Sequence, residues 1–230
     1  MPKSETTRTY IFADADLKQK ADALAQTIDR DMAQFATRNI TKVHLTNFRN
    51  LIDDFDNCST DEELLGMVSV ATERKDAAAA VLRPQLRTIR NTAETAYGGS
   101  GMYNLFGFGP IADAPDNDLC QLAKRVHRVA TRLLPELAVQ GLTQAQLDTL
   151  QSGYKELDAL LDKCAEAEEE RDIEAQGRIT KGNTLYAEMV RLAGIGKSLF
   201  EDTDEARYND YVLIGAHSSP AKPADDAHAA

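Results

Sequence analysis

The stretch Gly141-Leu142-Thr143-Gln144-Ala145-Gln146-Leu147 (residues 141–147) ends one helix and begins the next. Thr143 and Gln146 have the spacing of a capping box, and Leu142 and Leu147 have that of a hydrophobic staple. Gly141 is expected to end the preceding helix. Because the turn between them is short, the pattern predicts that the two helices are antiparallel neighbours.

Apolar residues continue from Leu147 at steps of three and four, on both sides of an acidic interval. They favour one very long helix that reaches about Leu199, and an interruption near Gly177 or Gly182, which would divide it into two helices, is the alternative. Similar patterns predict a helix from Thr60 to Tyr97, bent at Pro84, and others before and after it. The sequence therefore predicts an all-α fold: an elongated, largely antiparallel bundle of five to six helices with a long Gly/aromatic-rich inter-helix loop.

The expected organisation has a single helical domain at 14–200. An extended N-terminal segment precedes it at 1–13, an extended C-terminal segment follows at 201–216, and the tail at 217–230 is expected to be disordered because Ala, Pro, Ser and Asp dominate it. The stretch YNDYVLIGA in the C-terminal segment is β-prone, and TYIF near the N-terminus is its candidate pairing partner.

Composition excludes several classes of protein. The 230 residues carry a formal net charge of −11, so we expect no nucleic-acid partner, because phosphate neutralisation needs a basic surface. No apolar run approaches the length of a membrane span, and the first residues lack the pattern of a secretory signal. Cys58, Cys120 and Cys164 are far apart, which favours core thiols in a reduced, cytoplasmic setting.

The stretch AGIGKS (193–198) is similar to the end of a phosphate-binding loop. Such a loop needs an earlier glycine where this chain has Arg191, and a strand before it where this chain has a helical pattern. We therefore expect no nucleotide site. The four histidines are scattered and no nucleophile elbow or metal-ligand spacing is present, so we expect no catalytic residues, no metal and no cofactor.

A charge-free stretch, GGSGMYNLFGFGPIA (98–112), is the first unusual feature of the chain. Its aromatic side chains are candidate partner contacts: Tyr97, Tyr103, Phe106 and Phe108. The interpretation that we favour is an internal cap over the end of the bundle. Contact with a protein partner is the main alternative, and entry into a membrane, as by the tongue of a helical toxin, is a less favoured one.

Two rows of arginine are the second unusual feature, and they are candidate anion contacts: Arg83, Arg87, Arg90, Arg125, Arg128 and Arg132. If the two rows adjoin, they form a site for an anion or an acidic partner. The chain also supplies acids in EAEEERDIE, from Glu166 to Glu174. We expect these acids to pair with the arginines internally, or the arginines to be solvated.

The stretches SGMYNLFGFG, LAVQGLTQAQLD and IGKSLFEDTDEARYNDYV resemble a group of uncharacterised bacterial helical proteins, over most of the chain after about Asp16. The resemblance implies a helical bundle and a bacterial origin, and it implies no activity or site. We expect a non-catalytic structural or protein-interaction bundle with an unknown protein partner or self-association. The alternatives are a binding protein for a small anionic ligand between the arginine rows, or an enzyme with an unrecognised site.

Overall fold

The computed structural model describes residues 7–213, which form an all-α fold without a strand. The helices are α1 (Asp14–Arg30), α2 (Met32–Ala36), α3 (Lys42–Asp56), α4 (Asp61–Tyr97), α5 (Gly101–Asn104), α6 (Asp116–Arg132), α7 (Leu134–Leu137), α8 (Gln144–Phe200) and α9 (Glu205–Asp210). The prediction of one continuous helix from Gln144 to about Leu199 is confirmed by α8.

The turn before α8 has the two hydrogen bonds of the predicted capping box. The Thr143 backbone N–H donates to the Gln146 side chain at 2.9 Å, and the Gln146 backbone N–H donates to the Thr143 hydroxyl at 3.3 Å. Gly141 has a left-handed φ of 90°. Along α6 and α8, Lys124 pairs with Asp158 at 2.8 Å, and His127 packs on Tyr154. These two helices are therefore antiparallel neighbours, as predicted.

Helix α8 contributes to two compact units because its buried face is interrupted. Leu147 and Leu157 are buried near its start, Leu185 and Met189 are buried further along, and no residue is fully buried in the interval 162–178. Of the described residues, unit 1 contains 7–60 and 173–213, and unit 2 contains 61–172. The single bundle expected at 14–200 is thus two helical cores, each built on a different half of α8.

In unit 1, α1 and α3 form an antiparallel hairpin. Lys18 near the start of α1 approaches Asp56 at the end of α3, and Asp29 near the end of α1 pairs with Arg49 at 2.9 Å. The hairpin and the second half of α8 share a core that includes Leu17, Leu24, Ile28, Phe35, Phe48, Ile52, Leu185, Met189 and Leu192.

The N-terminal segment lies along α8 in unit 1. The Asn183 side chain accepts from the Thr9 backbone N–H at 2.8 Å and donates to the Thr7 carbonyl at 2.9 Å. The Tyr10 ring lies against Gly182, where any added Cβ would overlap it. The predicted extended conformation holds for the described part of this segment, 7–13, and residues 1–6 are outside the described residues.

The C-terminal segment differs from its prediction. Glu205–Asp210 form helix α9, because the Asp204 side chain accepts from the Arg207 backbone N–H at 3.0 Å and caps the helix start. The extended segment and its pairing with TYIF are therefore wrong within 201–213. The Tyr208 and Tyr211 side chains, three residues apart, both pack against the core of unit 1. Residues 214–216 and the predicted tail at 217–230 lie outside the described residues.

A buried carboxylate fixes this C-terminal turn to unit 1. Asp31, between α1 and α2, accepts two hydrogen bonds from Arg30, at 2.7 and 3.0 Å, and one from the Tyr211 hydroxyl at 2.9 Å. Arg207 of α9 approaches the same carboxylate at 3.3 Å. Hydrogen bonds from Arg30 and then from Tyr211, together with the charge of Arg207, hold the pKa of Asp31 below its usual value.

Replacing Asp31→Asn is expected to lower the free energy of unfolding by about 2 to 3 kcal/mol, because hydrogen bonds to a buried charge are lost. The folded-state pKa of Asp31 is depressed, so its contribution is present above the unfolded-state pKa and is lost as the pH falls below about 4. Urea unfolding followed by circular dichroism from acid to neutral pH measures both effects. Asp29→Asn is the control, since its pair with Arg49 is exposed; an equal loss in the control contradicts the assignment.

The glycine spacing in AGIGKS generates a second prediction. An added Cβ at Gly196 would overlap the Tyr211 ring, whereas nothing lies within 4 Å of one at Gly194. Gly196→Ala is therefore expected to destabilise the protein by about 1 to 3 kcal/mol through overpacking. Gly194→Ala, the matched control, is expected to stabilise it by up to about 1 kcal/mol through helix propensity. Thermal unfolding of both variants checks the signs, and two shifts in the same direction would refute the packing argument.

Unit 2 is built from α4, α6 and the first half of α8. Gly153 of α8 lies against Leu82 and Gln85 of α4, which sets the register of these two helices. The core includes Leu82, Leu86, Ile89, Phe106, Ile111, Leu119, Val126, Leu137, Leu147, Leu150 and Leu157.

Helices α4 and α6 run parallel, which explains the long connection between them. Arg83 in the middle of α4 contacts Asp116 at the start of α6, at 3.4 Å. Tyr97 at the end of α4 donates a hydrogen bond to Glu136, which follows α6. The intervening residues 98–115, called the crossover below, therefore return along the side of unit 2. The expected position at one end of the bundle is wrong for this reason.

Candidate functional site

The aromatic residues of the crossover pack inward to different degrees. Phe106 is completely buried and stacks on Phe108, with ring centroids 5.3 Å apart, and Phe108 contacts Tyr103. Tyr97 donates to Glu136, and this hydrogen bond raises the pKa of Tyr97 to about 12. Phe106 therefore has no exposed surface for a partner in this conformation, and Tyr97, Tyr103 and Phe108 are partly exposed. The geometry favours internal packing over a contact patch.

Phe106→Ala is expected to lower the free energy of unfolding by about 3 to 5 kcal/mol, since a buried ring leaves a cavity. Its neighbour Leu105 is 51% exposed, so Leu105→Ala is expected to stay within about 0.5 kcal/mol of the wild type. Denaturant unfolding of the two variants checks the difference. A Phe106→Ala variant as stable as the wild type would restore the partner-contact interpretation of this ring.

Arg83, at the start of the α4 row, holds the crossover in place. Its guanidinium donates to the Ile111 carbonyl at 3.0 Å and to the Ala114 carbonyl at 3.3 Å, and it also contacts Asp116. Asp116 in turn pairs with Lys75 at 2.8 Å. Arg83 therefore has a structural role, and it is not free to bind an anion as predicted.

Arg125, at the start of the α6 row, reaches the crossover from the other side. Its guanidinium lies against Gly107, which has a left-handed φ of 60°, so a side chain at this position would require Arg125 to move. Residues at steps of three and four share a helix face, so Arg87 and Arg90 follow Arg83, and Arg128 follows Arg125. The two rows therefore flank the crossover on one side of unit 2, and the crossover occupies the space between them.

Five arginines of these rows form what we call the arginine surface: Arg87, Arg90, Arg125, Arg128 and Arg132. Within residues 7–213 none of the five forms an ion pair with an acid. Four of them are exposed: Arg87, Arg125, Arg128 and Arg132. Arg90 is half-buried, and its Nε is buried without a hydrogen-bond acceptor in the described part of the chain.

Acids border the arginine surface but leave most of it positive. Asp116 and Asp76 lie in the groove beside Arg87, and Asp116 already pairs with Lys75. Glu94 lies one turn beyond Arg90 on α4, and Glu136 accepts the hydrogen bond of Tyr97. Burial lowers the pKa of His127, so this side chain adds no charge at neutral pH.

The acids that were expected to neutralise the arginines lie too far along α8. His127, next to Arg128, packs on Tyr154. Glu166, the first acid of the interval, lies about 12 residues beyond Tyr154, or about 18 Å at the rise of an α-helix. That separation exceeds the combined reach of the two side chains. In the described chain the ion pair that the acids of EAEEERDIE form is Asp172 with adjacent Arg171, so the expected internal pairing is absent. Exposed arginines are the other outcome that was expected, and Arg87, Arg125, Arg128 and Arg132 fit it.

The stretch AGIGKS lies inside α8, where its backbone belongs to the helical ladder. Gly196 is buried under Tyr211 and does not face a ligand. Close packing against the Tyr211 ring therefore accounts for the glycine at position 196. The expectation that small residues here admit a close neighbour is correct, although the neighbour is an aromatic ring.

Two further findings limit the candidate chemistry. Within the described ranges, no group of three or more His, Cys, Asp or Glu side chains is arranged to hold a metal ion. Among the helices of 7–213, none combines the length and the apolar character needed to cross a membrane.

Sequence reasoning missed the cluster around Asp31, because Arg207 and Tyr211 are far along the chain from the adjacent Arg30 and Asp31. The pair Lys124 and Asp158 was missed for the same reason. A signal was available for Tyr211: it is aromatic, and it follows an Asp204 that can cap a short helix. Nothing local marked Asp31 as buried.

Comparisons of the chain with family models, with curated proteins and with solved structures give no match. The resemblance to bacterial helical proteins consequently stays a prediction.

Proposed function

We propose that the protein is a non-catalytic interaction bundle that binds an acidic protein partner through the arginine surface. The observation that carries the proposal is that five arginines on α4 and α6 have no acidic partner within the described chain, although the whole chain has a net charge of −11. In so acidic a protein, an uncompensated basic surface selects acidic partners and steers their approach.

A protein partner fits this surface better than a small anion. The groove beside Arg87 is also lined by Asp76 and Asp116, whose carboxylates oppose a small anion, and Arg83 in the same groove is bound to the crossover. The exposed guanidinium groups that remain are spread along two helices, which suits several carboxylates on an extended surface. We also propose a cytoplasmic location, which the free thiols of Cys58, Cys120 and Cys164 support.

The proposal predicts binding of an acidic probe. A fluorescent hexaglutamate peptide is expected to bind the protein at low salt, and the double variant Arg87→Ala/Arg128→Ala is expected to bind it about tenfold more weakly, a change of about 1.4 kcal/mol. Fluorescence anisotropy measures the affinity. Affinity is expected to fall as salt is raised, because exposed charges are screened.

The matched control is Arg38→Ala/Arg74→Ala, which removes the same charge from two exposed arginines elsewhere. Equal weakening in both double variants would show a nonspecific charge effect and contradict the proposal. Competition by inorganic phosphate that depends on Arg87 and Arg128 would favour the small-anion alternative instead. Circular dichroism of each variant confirms that the helices are retained.

A further inference from the structure

We infer that the acidic partner of the arginine surface is the acidic segment of α8 in a second copy of this chain. The acidic segment consists of Glu166, Glu168, Glu169, Glu170 and Asp172. The inference deepens the proposed function and rests on it. It names the partner by two complementary surfaces that the same chain carries.

The acidic segment is accessible on unit 2. All five of its acids are exposed, and Asp172 is the one with an ion pair in the described residues, to Arg171. Helix α6 meets α8 near Cys120 and Asp158 and begins one turn earlier, at Asp116. Beyond about residue 162, the part of α8 in unit 2 therefore no longer has α6 beside it.

The two surfaces carry opposite charge. The arginine surface offers five guanidinium groups, and the acidic segment offers four exposed carboxylates beside Asp172, which pairs with Arg171. Arginine binds carboxylates with two parallel hydrogen bonds, which gives such contacts orientation as well as attraction. Each surface thus supplies the opposite charge that the other surface lacks within its own molecule.

Separation along α8 prevents the two surfaces of one molecule from meeting. Gly153 of α8 lies at the level of Gln85, close to Arg87, and Glu169 lies about 16 residues further on, or about 24 Å. The α-helix between them is continuous, so it cannot fold back. Neutralisation of the arginine surface by this segment is therefore intermolecular.

The test uses two charge-reversal variants and their mixture. The first variant carries Arg87→Glu, Arg128→Glu and Arg132→Glu; the second carries Glu166→Lys, Glu169→Lys and Glu170→Lys. Each variant alone presents like charges to itself, so both are expected to be monomeric. Their mixture restores opposite charges at both contacts and is expected to form a complex containing both variants. Sedimentation velocity at about 50 mM salt, where screening is weak, measures the species.

The salt dependence of self-association by the wild type is a second test. It is expected to self-associate at about 50 mM salt and to dissociate at about 1 M, where the Debye length is about 3 Å. A wild type that is monomeric at low salt overturns the inference, as does a mixture of the two variants that fails to associate. Association that persists in either variant alone also overturns it, because the contact then lies elsewhere.

The failure of this inference can be distinguished from failure of the proposed function. A monomeric wild type that still binds hexaglutamate through Arg87 and Arg128 refutes the second copy as partner and leaves the acidic-partner function standing. A protein that neither self-associates nor binds hexaglutamate refutes both. Circular dichroism and thermal unfolding of each charge-reversal variant show whether its helices match those of the wild type.

Discussion

The arrangement of apolar residues on α8 is the constraint on which the rest of the structure depends. Its buried leucines near Leu150 complete the core of unit 2, and those near Leu185 complete the core of unit 1. Between them lies an interval without a buried residue, rich in glutamate and continuous in its helix. The same interval of α8 carries the acidic segment, and Glu169 lies about 24 Å of helical rise beyond Gly153.

In each unit, polar side-chain contacts hold a segment in which the chain changes direction. In unit 2, two parallel helices require a long return of the chain, and Arg83 holds that return by donating to its carbonyl groups. In unit 1, the turn after α9 is held by the buried carboxylate of Asp31 and by the Tyr211 ring on Gly196. These contacts use Arg83 of the α4 row structurally, whereas the arginine surface forms no ion pair in the described residues.

Local patterns in the sequence predicted the elements well and their assembly less well. The capping box at Thr143 and the steps of three and four after Leu147 predicted the start and the extent of α8, because they depend on neighbouring residues, and left open an interruption near Gly177 or Gly182 that the structure does not have. The parallel direction of α4 and α6 and the distance from Arg128 to Glu166 depend on contacts between distant segments. Charge alone suggested that the arginines and the acids pair, and only the helix register shows that they do not meet.

The most direct test of this account is the distance between the arginine surface and the acidic segment within one molecule. Nitroxide labels at Arg87→Cys and Glu169→Cys, with the native cysteines Cys58, Cys120 and Cys164 replaced, report it by pulsed electron resonance in samples diluted with unlabelled protein. The account predicts a distance of about 25 Å, set by about 16 residues of helical rise from Gly153. A distance short enough to broaden the continuous-wave spectrum would place the acids on their own arginines and contradict it.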